Sequence, residues 1–380
     1  MSELLIVGGG IMGLWAALTA ARAGMDVQLV EERHIGAGAS GGILGALMPH
    51  MPDKWNSKKQ FQFDALVSLE SEIETLEAET GLSAGYRRSG RIMPLAKPHL
   101  RDIAIRHEQD ALQNWQAGDR QFFWHVRDEL PSGWLGAEAA AFGLVFDTLG
   151  GRLSPRQMLA VLRAALAQLP NVRIVEGNGV RAIHPGQGRA ELDDGTEISF
   201  GHCILAAGVG SFPLIDMLCG PIREPSGTGV KGQAALLLAD VDPQLPVIFT
   251  DGVYIVAHED GHVAVGSTSE NKYADPLSTD ELLNELQGRA EALVPTLRGA
   301  EVVERWAGIR PKSTGREPMV GRHPDHGNLS VLTGGFKVSF GIAHRLARFV
   351  IEEIAGQSSI AVPESFLCRN HIAALREKHL

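Results

Sequence analysis

Residues Leu4 to Gly13 read Leu-Leu-Ile-Val-Gly-Gly-Gly-Ile-Met-Gly, a short apolar run that breaks into Gly-x-Gly-x-x-Gly. An alanine-rich apolar stretch from Leu14 to Ala23 follows, and Gly24 stops it. The pattern predicts a buried strand, a tight turn and a helix. In such a turn Gly8 lets the chain reverse, Gly10 lets backbone N–H groups approach a pyrophosphate, and Gly13 lets the helix lie close to the strand. A second apolar run, Val27 to Val30, ends on Glu31 with Glu32 beside it, where an acid would meet the ribose hydroxyls of a dinucleotide. Spacing, flanks and acid agree on a dinucleotide-binding start rather than a bare glycine-rich turn.

At 380 residues the chain has room for two domains, or for one domain with a large insertion. Thirty-five basic residues against 45 acidic ones give a net charge of −10, which argues against a broad surface for nucleic acid. The first strand begins within a few residues of Met1 and no basic segment precedes it, so the apolar start reads as fold rather than secretion signal. No apolar run approaches the roughly eighteen residues of a membrane span. A cytoplasmic location is the expectation. Cys203, Cys219 and Cys368 are odd in number and widely spaced, which fits neither a disulfide framework nor a zinc site. They read as structural thiols, and no metal is expected.

Residues 35–45, Ile-Gly-Ala-Gly-Ala-Ser-Gly-Gly-Ile-Leu-Gly, are too rich in glycine for a helix or a long strand, so their backbone is expected to lie against something flat. Phe61, Ala65, Leu66, Leu69, Ile73 and Leu76 recur at helical spacing, and Gly81 ends that run. A strand over 90–95 and a helix over 99–117 follow, then an apolar cluster of Trp115, Phe122, Phe123 and Trp124. Ser154 and Pro155 open another helix as cap and first-turn proline. From Val172 onward short strands alternate with turns such as Asp194-Gly195. Three segments between Val230 and Thr268 read as an antiparallel sheet. A helix over 280–293, strands over 302–309 and 329–332, and a last helix over 341–355 complete the reading. The nucleotide signals lie near the N-terminus, residue 208 and residue 335, with unrelated material between. A discontinuous nucleotide domain with an inserted sheet domain accounts for that distribution.

Together these pieces resemble the glycine oxidase, sarcosine oxidase and D-amino-acid oxidase or dehydrogenase family of FAD-dependent amine oxidoreductases. The resemblance rests on Gly8-x-Gly10-x-x-Gly13, Glu31, and Ala39-Ser40-Gly41-Gly42-Ile43-Leu44-Gly45. It continues through Leu205-Ala-Ala-Gly208, Val230-Lys-Gly-Gln233, Tyr254-Ile-Val, Val265-Gly-Ser-Thr268, Trp306-Ala-Gly-Ile-Arg310-Pro311 and Val320-Gly-Arg-His-Pro324. Gly334-Gly-Phe-Lys337, running on to Phe340-Gly-Ile-Ala343, closes it, so nearly the whole chain takes part. The fold implied is mixed α/β and α+β: a discontinuous Rossmann-like FAD domain over 1–50, 150–215 and 305–365, an antiparallel-sheet substrate domain over 51–149 and 216–304, and a tail over 366–380.

By that resemblance the cofactor is FAD. Ile11 and Met12 would lie along the pyrophosphate, Glu31 at the adenosine ribose, Val180 on the adenine side, and Gly41, Gly42 and Ile43 against the isoalloxazine ring. Gly335, Phe336, Lys337, Val338, Ser339, Phe340 and Gly341 would line the other flank and open the C-terminal helix. Gly8, Gly10, Gly13, Glu32, Ala39, Ser40 and Gly208 complete the implied cofactor-binding set. Arg310 stands where the family pairs an arginine with the substrate carboxylate, and Tyr254 where a tyrosine adds a hydroxyl. Lys337 replaces a second carboxylate-binding arginine, Phe249 a second tyrosine, and Ser269 a methionine bordering the substrate, while His50 lies just beyond the flavin loop. The implied reaction is oxidative deamination of a small amino acid or secondary amine by hydride transfer from Cα to flavin N5. The product would be an imine and then a 2-oxo acid, with oxygen or a quinone accepting the electrons. No nucleic-acid or membrane partner is expected, and a homo-oligomer is compatible with the reading. Two other readings share the FAD module: a flavoenzyme acting on a tRNA wobble uridine, and one subunit of a hetero-oligomeric amino-acid or opine dehydrogenase.

Overall fold

The computed structural model describes residues 2–129 and 134–377. Strand Ser2–Val7 and helix Ile11–Arg22 flank the glycine turn as the sequence predicts. The helix is apolar on nearly every side, and it is accordingly enclosed by the sheet and by helices Pro155–Ala167 and Ser339–Ile354. The first sheet has a parallel core in the order Val172–Glu176, Val27–Glu31, Ser2–Val7, Glu197–Leu205, His326–Thr333. Arg189–Leu192 and Val180–His184 extend it antiparallel from the first part of Glu197–Leu205, and Met319–His323 pairs antiparallel with His326–Thr333.

The second sheet holds eight strands, in the order Glu301–Ser313, Gly227–Leu238, His262–Gly266, Val253–Ala257, Val247–Thr250, Arg91–Pro94, Leu144–Asp147, Trp124–Arg127. Its neighbours run antiparallel except Val247–Thr250 beside Arg91–Pro94. The three segments read between Val230 and Thr268 are thus the middle of a wider sheet. Helix Ser57–Thr80 buries the face that its periodicity marks, Phe61 through Leu76. It is capped by the Asn56 side chain, which accepts from Lys58 N and Lys59 N, and it stops at Gly81 in the left-handed region with φ 70°.

Several local expectations shift. The helix expected to reach Ala117 spans Pro98–Asn114, and Trp115 turns into the core. Phe123 is not part of the apolar cluster: it is exposed and stacks on His125. Ser154 precedes Pro155 at its helix start but makes no side-chain cap bond. The helix expected to be last is followed by Cys368–Glu377, whose Cys368, His371, Ile372 and Leu375 recur at three- and four-residue spacing and pack on Met319–His323. All three cysteines are buried, and burial pushes the Cys203 and Cys368 thiols well above their usual range. Among the described residues no helix is long and apolar enough to cross a membrane.

Candidate active site

The carboxyl ends of the parallel strands open on a cavity of about 670 Å³, lined in turn by Val7, Glu31, Ala206 and Thr333. Open α/β sheets bind ligands in this crevice. At Gly8 the backbone has φ 110°, and a Cβ there would meet the backbone of Ala206 and Ala207. A Cβ at Gly13 would collide with the Gly8 carbonyl, so the glycine spacing is a packing requirement. Gly10 caps helix Ile11–Arg22 with no side-chain bond, which leaves the helix N-terminus facing the cavity. Ser40 Oγ accepts from Ile11 N at 3.0 Å and ties the second glycine loop to the first. The Glu31 carboxylate accepts from Gly9 N at 2.7 Å and Arg33 N at 3.1 Å. Its remaining lone pairs are free to accept from hydroxyl groups.

Val180, Gly179 and Asp193 close the cavity beyond Glu31 and Glu32. Gly42, Ile43, Gly208 and residues 335–341 form its walls toward the second sheet. Phe336 holds a left-handed φ of 46°, and helix Ser339–Ile354 begins at the cavity without a side-chain cap. The glycine cradle, two helix starts whose own N-cap residues make no side-chain bond and an acid at the strand end together fit a dinucleotide of the FAD type.

The second sheet supplies the other end. Cross-strand register places Tyr254, Gly266, Ala234 and Trp306 in one row, with Phe249 opposite Tyr254. Alternation then puts Gly308 and Arg310 on the face of Trp306, and Arg91 on the face of Phe249. Arg91, Phe249, Tyr254, Ala234, Trp306 and Arg310 all line the cavity. The Phe249 and Tyr254 rings are 4.7 Å apart. Burial raises the Tyr254 pKa, against the pull of Arg310 and Arg91, so its hydroxyl stays protonated.

Arg310 is half-buried, and a Cβ on Gly232 across the ladder would overlap its guanidinium. The absent side chain makes the arginine's berth. Arg310 Nη1 donates to Thr268 O at 3.1 Å, and the Thr268 hydroxyl donates to Glu270. Gln233 Nε2 donates to Glu270 at 2.9 Å and to Asp280 at 2.8 Å, with buried Lys231 3.4 Å from Asp280. This network holds the turn on which Arg310 rests. Desolvation lowers the Arg310 pKa while Tyr254 and Glu270 oppose the shift, and desolvation with the Arg310 charge lowers that of Lys337. Among the described residues neither Arg310 nor Lys337 has an acidic side chain at ion-pair distance.

The cavity therefore brings together Arg310, Tyr254, Lys337 and His50 with the nucleotide cradle. Gly13 and Gly41 do not line it: Gly13 packs the helix on the turn, and a Cβ at Gly41 would meet the Gly36 carbonyl. Ser269 is exposed outside the lining, and Ser267 stands in the wall instead. Arg91, Gly232 and the Gln233 network were not singled out as site residues, although Lys-Gly-Gln within a strand carried a signal for the latter two. Burial lowers the pKa of His50, assisted by Lys59, Arg91 and Lys58 and opposed by Glu317.

A two-sheet chain with a dinucleotide crevice and an uncompensated arginine beside it has the form of a flavin-dependent oxidoreductase. The family described as FAD dependent oxidoreductase (DAO) matches residues 3–349, and the chain belongs to it. Glycine oxidase of Pseudomonas putida is 26% identical, with 96% of this chain and 97% of that protein aligned. Glycine oxidase of Pseudomonas aeruginosa is 28% identical, with 96% and 98% aligned. The crystal structure of glycine oxidase from Geobacillus kaustophilus superposes with a TM-score of 0.85 over 97% of this chain and 99% of that one, at 22% identity.

Proposed function

We propose that the chain oxidises a carboxylate-bearing primary or secondary amine, an α-amino acid or its N-alkyl relative, to an imine that hydrolyses to a 2-oxo acid. The observation that carries this reading is Arg310: a half-buried guanidinium without an acidic partner, berthed by Gly232 and facing the same cavity as the nucleotide cradle. The names of the aligned glycine oxidases agree with a small amino-acid substrate. FAD, when bound, supplies the acceptor for the two electrons of the broken C–H bond.

The chain's own groups bind and orient. Arg310 offers its planar fork to the carboxylate, and the protonated Tyr254 hydroxyl and Lys337 ammonium add donors. Trp306, Phe249 and Ile309 line the same space and reduce its water. The N-terminus of helix Ser339–Ile354 presents its positive end where negative charge accumulates during the reaction.

Anaerobic flavin bleaching with glycine, sarcosine, a D-amino-acid panel and N-carboxyalkyl amino acids tests the reading without reference to the electron acceptor. Arg310→Ala strips the partner from a desolvated ion pair, which costs about 2–5 kcal/mol, or roughly 30-fold to several thousandfold in kcat/KM. An unchanged kcat/KM on the best substrate refutes the assignment.

A further inference from the structure

We propose that the substrate carries two acidic groups, as an amino or imino dicarboxylate does, and that Arg91 reads the second. The proposal rests on the assignment of Arg310 to the first carboxylate.

The acidic residues of the cavity lining, Glu31, Glu32 and Asp193, all lie at the nucleotide end, with Arg33 beside them. The opposite end is lined by Arg310, Lys337 and Arg91, and by no carboxylate among the described residues. Lys337 is exposed and screened by solvent, whereas Arg310 is half-buried and Arg91 buried. Buried charged groups are favourable only when their polar atoms find partners, so the two guanidiniums are the groups at this end that call for acceptors.

Arg91 is the group placed to receive the second. It is 2% exposed, and its guanidinium is fixed on two sides: Nε donates to Asp147 Oδ2 at 2.5 Å and Nη1 to Pro49 O at 3.0 Å. Asp147 is held in turn by Gly150 N at 2.7 Å, so the guanidinium cannot easily rotate. Arg91 Nη2 is buried and has no hydrogen-bond partner. Buried guanidinium N–H groups are rarely left so, and an acceptor arriving with substrate would complete the set. Tyr254 lines the same wall and lies within electrostatic reach of both Arg310 and Arg91. Phe249, its ring tilted against that of Tyr254, adds no polar group to this wall. A chain anchored on Arg310 and laid past Tyr254 directs its far end to Arg91.

The test uses the FAD-loaded protein and two inert five-carbon probes, glutarate and pentanoate. Each is titrated by the change it causes in the flavin visible spectrum, at an ionic strength of about 0.15 M to screen nonspecific charge effects. Glutarate is expected to bind about tenfold or more tightly than pentanoate, the discrimination of one charge-assisted hydrogen bond. Arg91→Gln is expected to bring that ratio close to one. Because Arg91→Gln leaves Asp147 buried without its partner, the double variant Arg91→Gln/Asp147→Asn, which removes both charges, is measured beside it. Equal affinities for the two probes in the unsubstituted protein overturn the proposal without any variant, as does a ratio that survives in a folded variant. If Arg310→Gln weakens neither probe, the assignment of the first carboxylate fails instead, a separate result from the ratio.

Discussion

Gly232→Ala separates the berth of Arg310 from the fold that surrounds it. Gly232 lies in the middle of strand Gly227–Leu238, opposite Gly308, and its backbone has no left-handed φ, so alanine's own geometry fits. The added Cβ would sit well inside 3.0 Å of Arg310 Cζ, Nη1 and Nη2, its three nearest atoms. The far end of a flexible side chain yields before a strand does, so the guanidinium must retreat by more than 1 Å to reach ordinary contact at 3.4 Å. That shift weakens the bond to Thr268 O and misaligns the fork that would grip a carboxylate. A misplacement of about 1 Å in a positioning group costs on the order of 100-fold in rate, close to 2.7 kcal/mol. Stability should hardly change, because alanine lowers the unfolded chain's entropy by about 0.4–1 kcal/mol against modest local strain. Anaerobic stopped-flow flavin reduction should therefore show kcat/KM down about 100-fold, with Tm within roughly 3 °C of the parent. Wild-type kcat/KM would show that Arg310 does not depend on this berth. A Tm loss of about 10 °C would show that the strand, not the guanidinium, gives way.

Gly13→Ala should act on the nucleotide instead: its Cβ meets the backbone oxygen of Gly8, which cannot swing aside, so the purified protein should lose most of its flavin absorbance relative to protein absorbance. Gly24→Ala, at φ 87° with nothing within 4 Å, should cost about 1 kcal/mol of stability and retain flavin; equal flavin content in the two variants would contradict the cradle. Acid should destabilise the fold early. Burial pushes His344 down to about 3 and His202 and His323 down to about 4, while the unfolded chain takes up protons near 6.5. The unfolded state therefore binds more protons throughout that window, and stability falls as pH drops through it by at most about 1.4 kcal/mol per pH unit for each histidine. His344→Gln should flatten the slope of unfolding free energy between pH 6 and about 4 by up to about 1.4 kcal/mol per pH unit, and an unchanged slope in urea titrations would contradict it.

The nucleotide half was legible because its chemistry is local. Gly8, Gly10, Gly13 and Glu31 act through backbone geometry and one strand end, so a short run of sequence contains nearly all their partners. Helix Ser57–Thr80 was legible for a similar reason, since the apolar spacing and Gly81 each act within a few residues, while its Asn56 cap was not singled out. The last helix was not: Cys368–Glu377 carries only four inward positions, and its partner strand Met319–His323 lies some fifty residues earlier in the chain. Nor was the exposure of Phe123, because an aromatic triplet does not reveal which of its members faces the sheet.

The substrate half depends on register, which sequence motifs hide. Arg310 could be marked by its motif, but its partner in space is Gly232, seventy-eight residues away, where the informative feature is a missing side chain. Arg91 sits in no recognised motif and becomes visible only when Val247 pairs with Arg91 and Phe249 with Tyr254, which brings Arg91, Phe249 and Tyr254 into the cavity wall shared with Arg310. Ser269 shows the converse. It matches a pocket residue by position, yet the strand ends at Gly266, and the irregular backbone that follows places Ser267 in the cavity wall and leaves Ser269 exposed. The nucleotide end is thus written in local sequence, whereas the substrate end arises from side chains on separate strands of one sheet. Changes in which strand face carries an arginine, a phenylalanine or a glycine can therefore alter the substrate while leaving the nucleotide signature intact, and Arg91 is where such a change is most exposed to test.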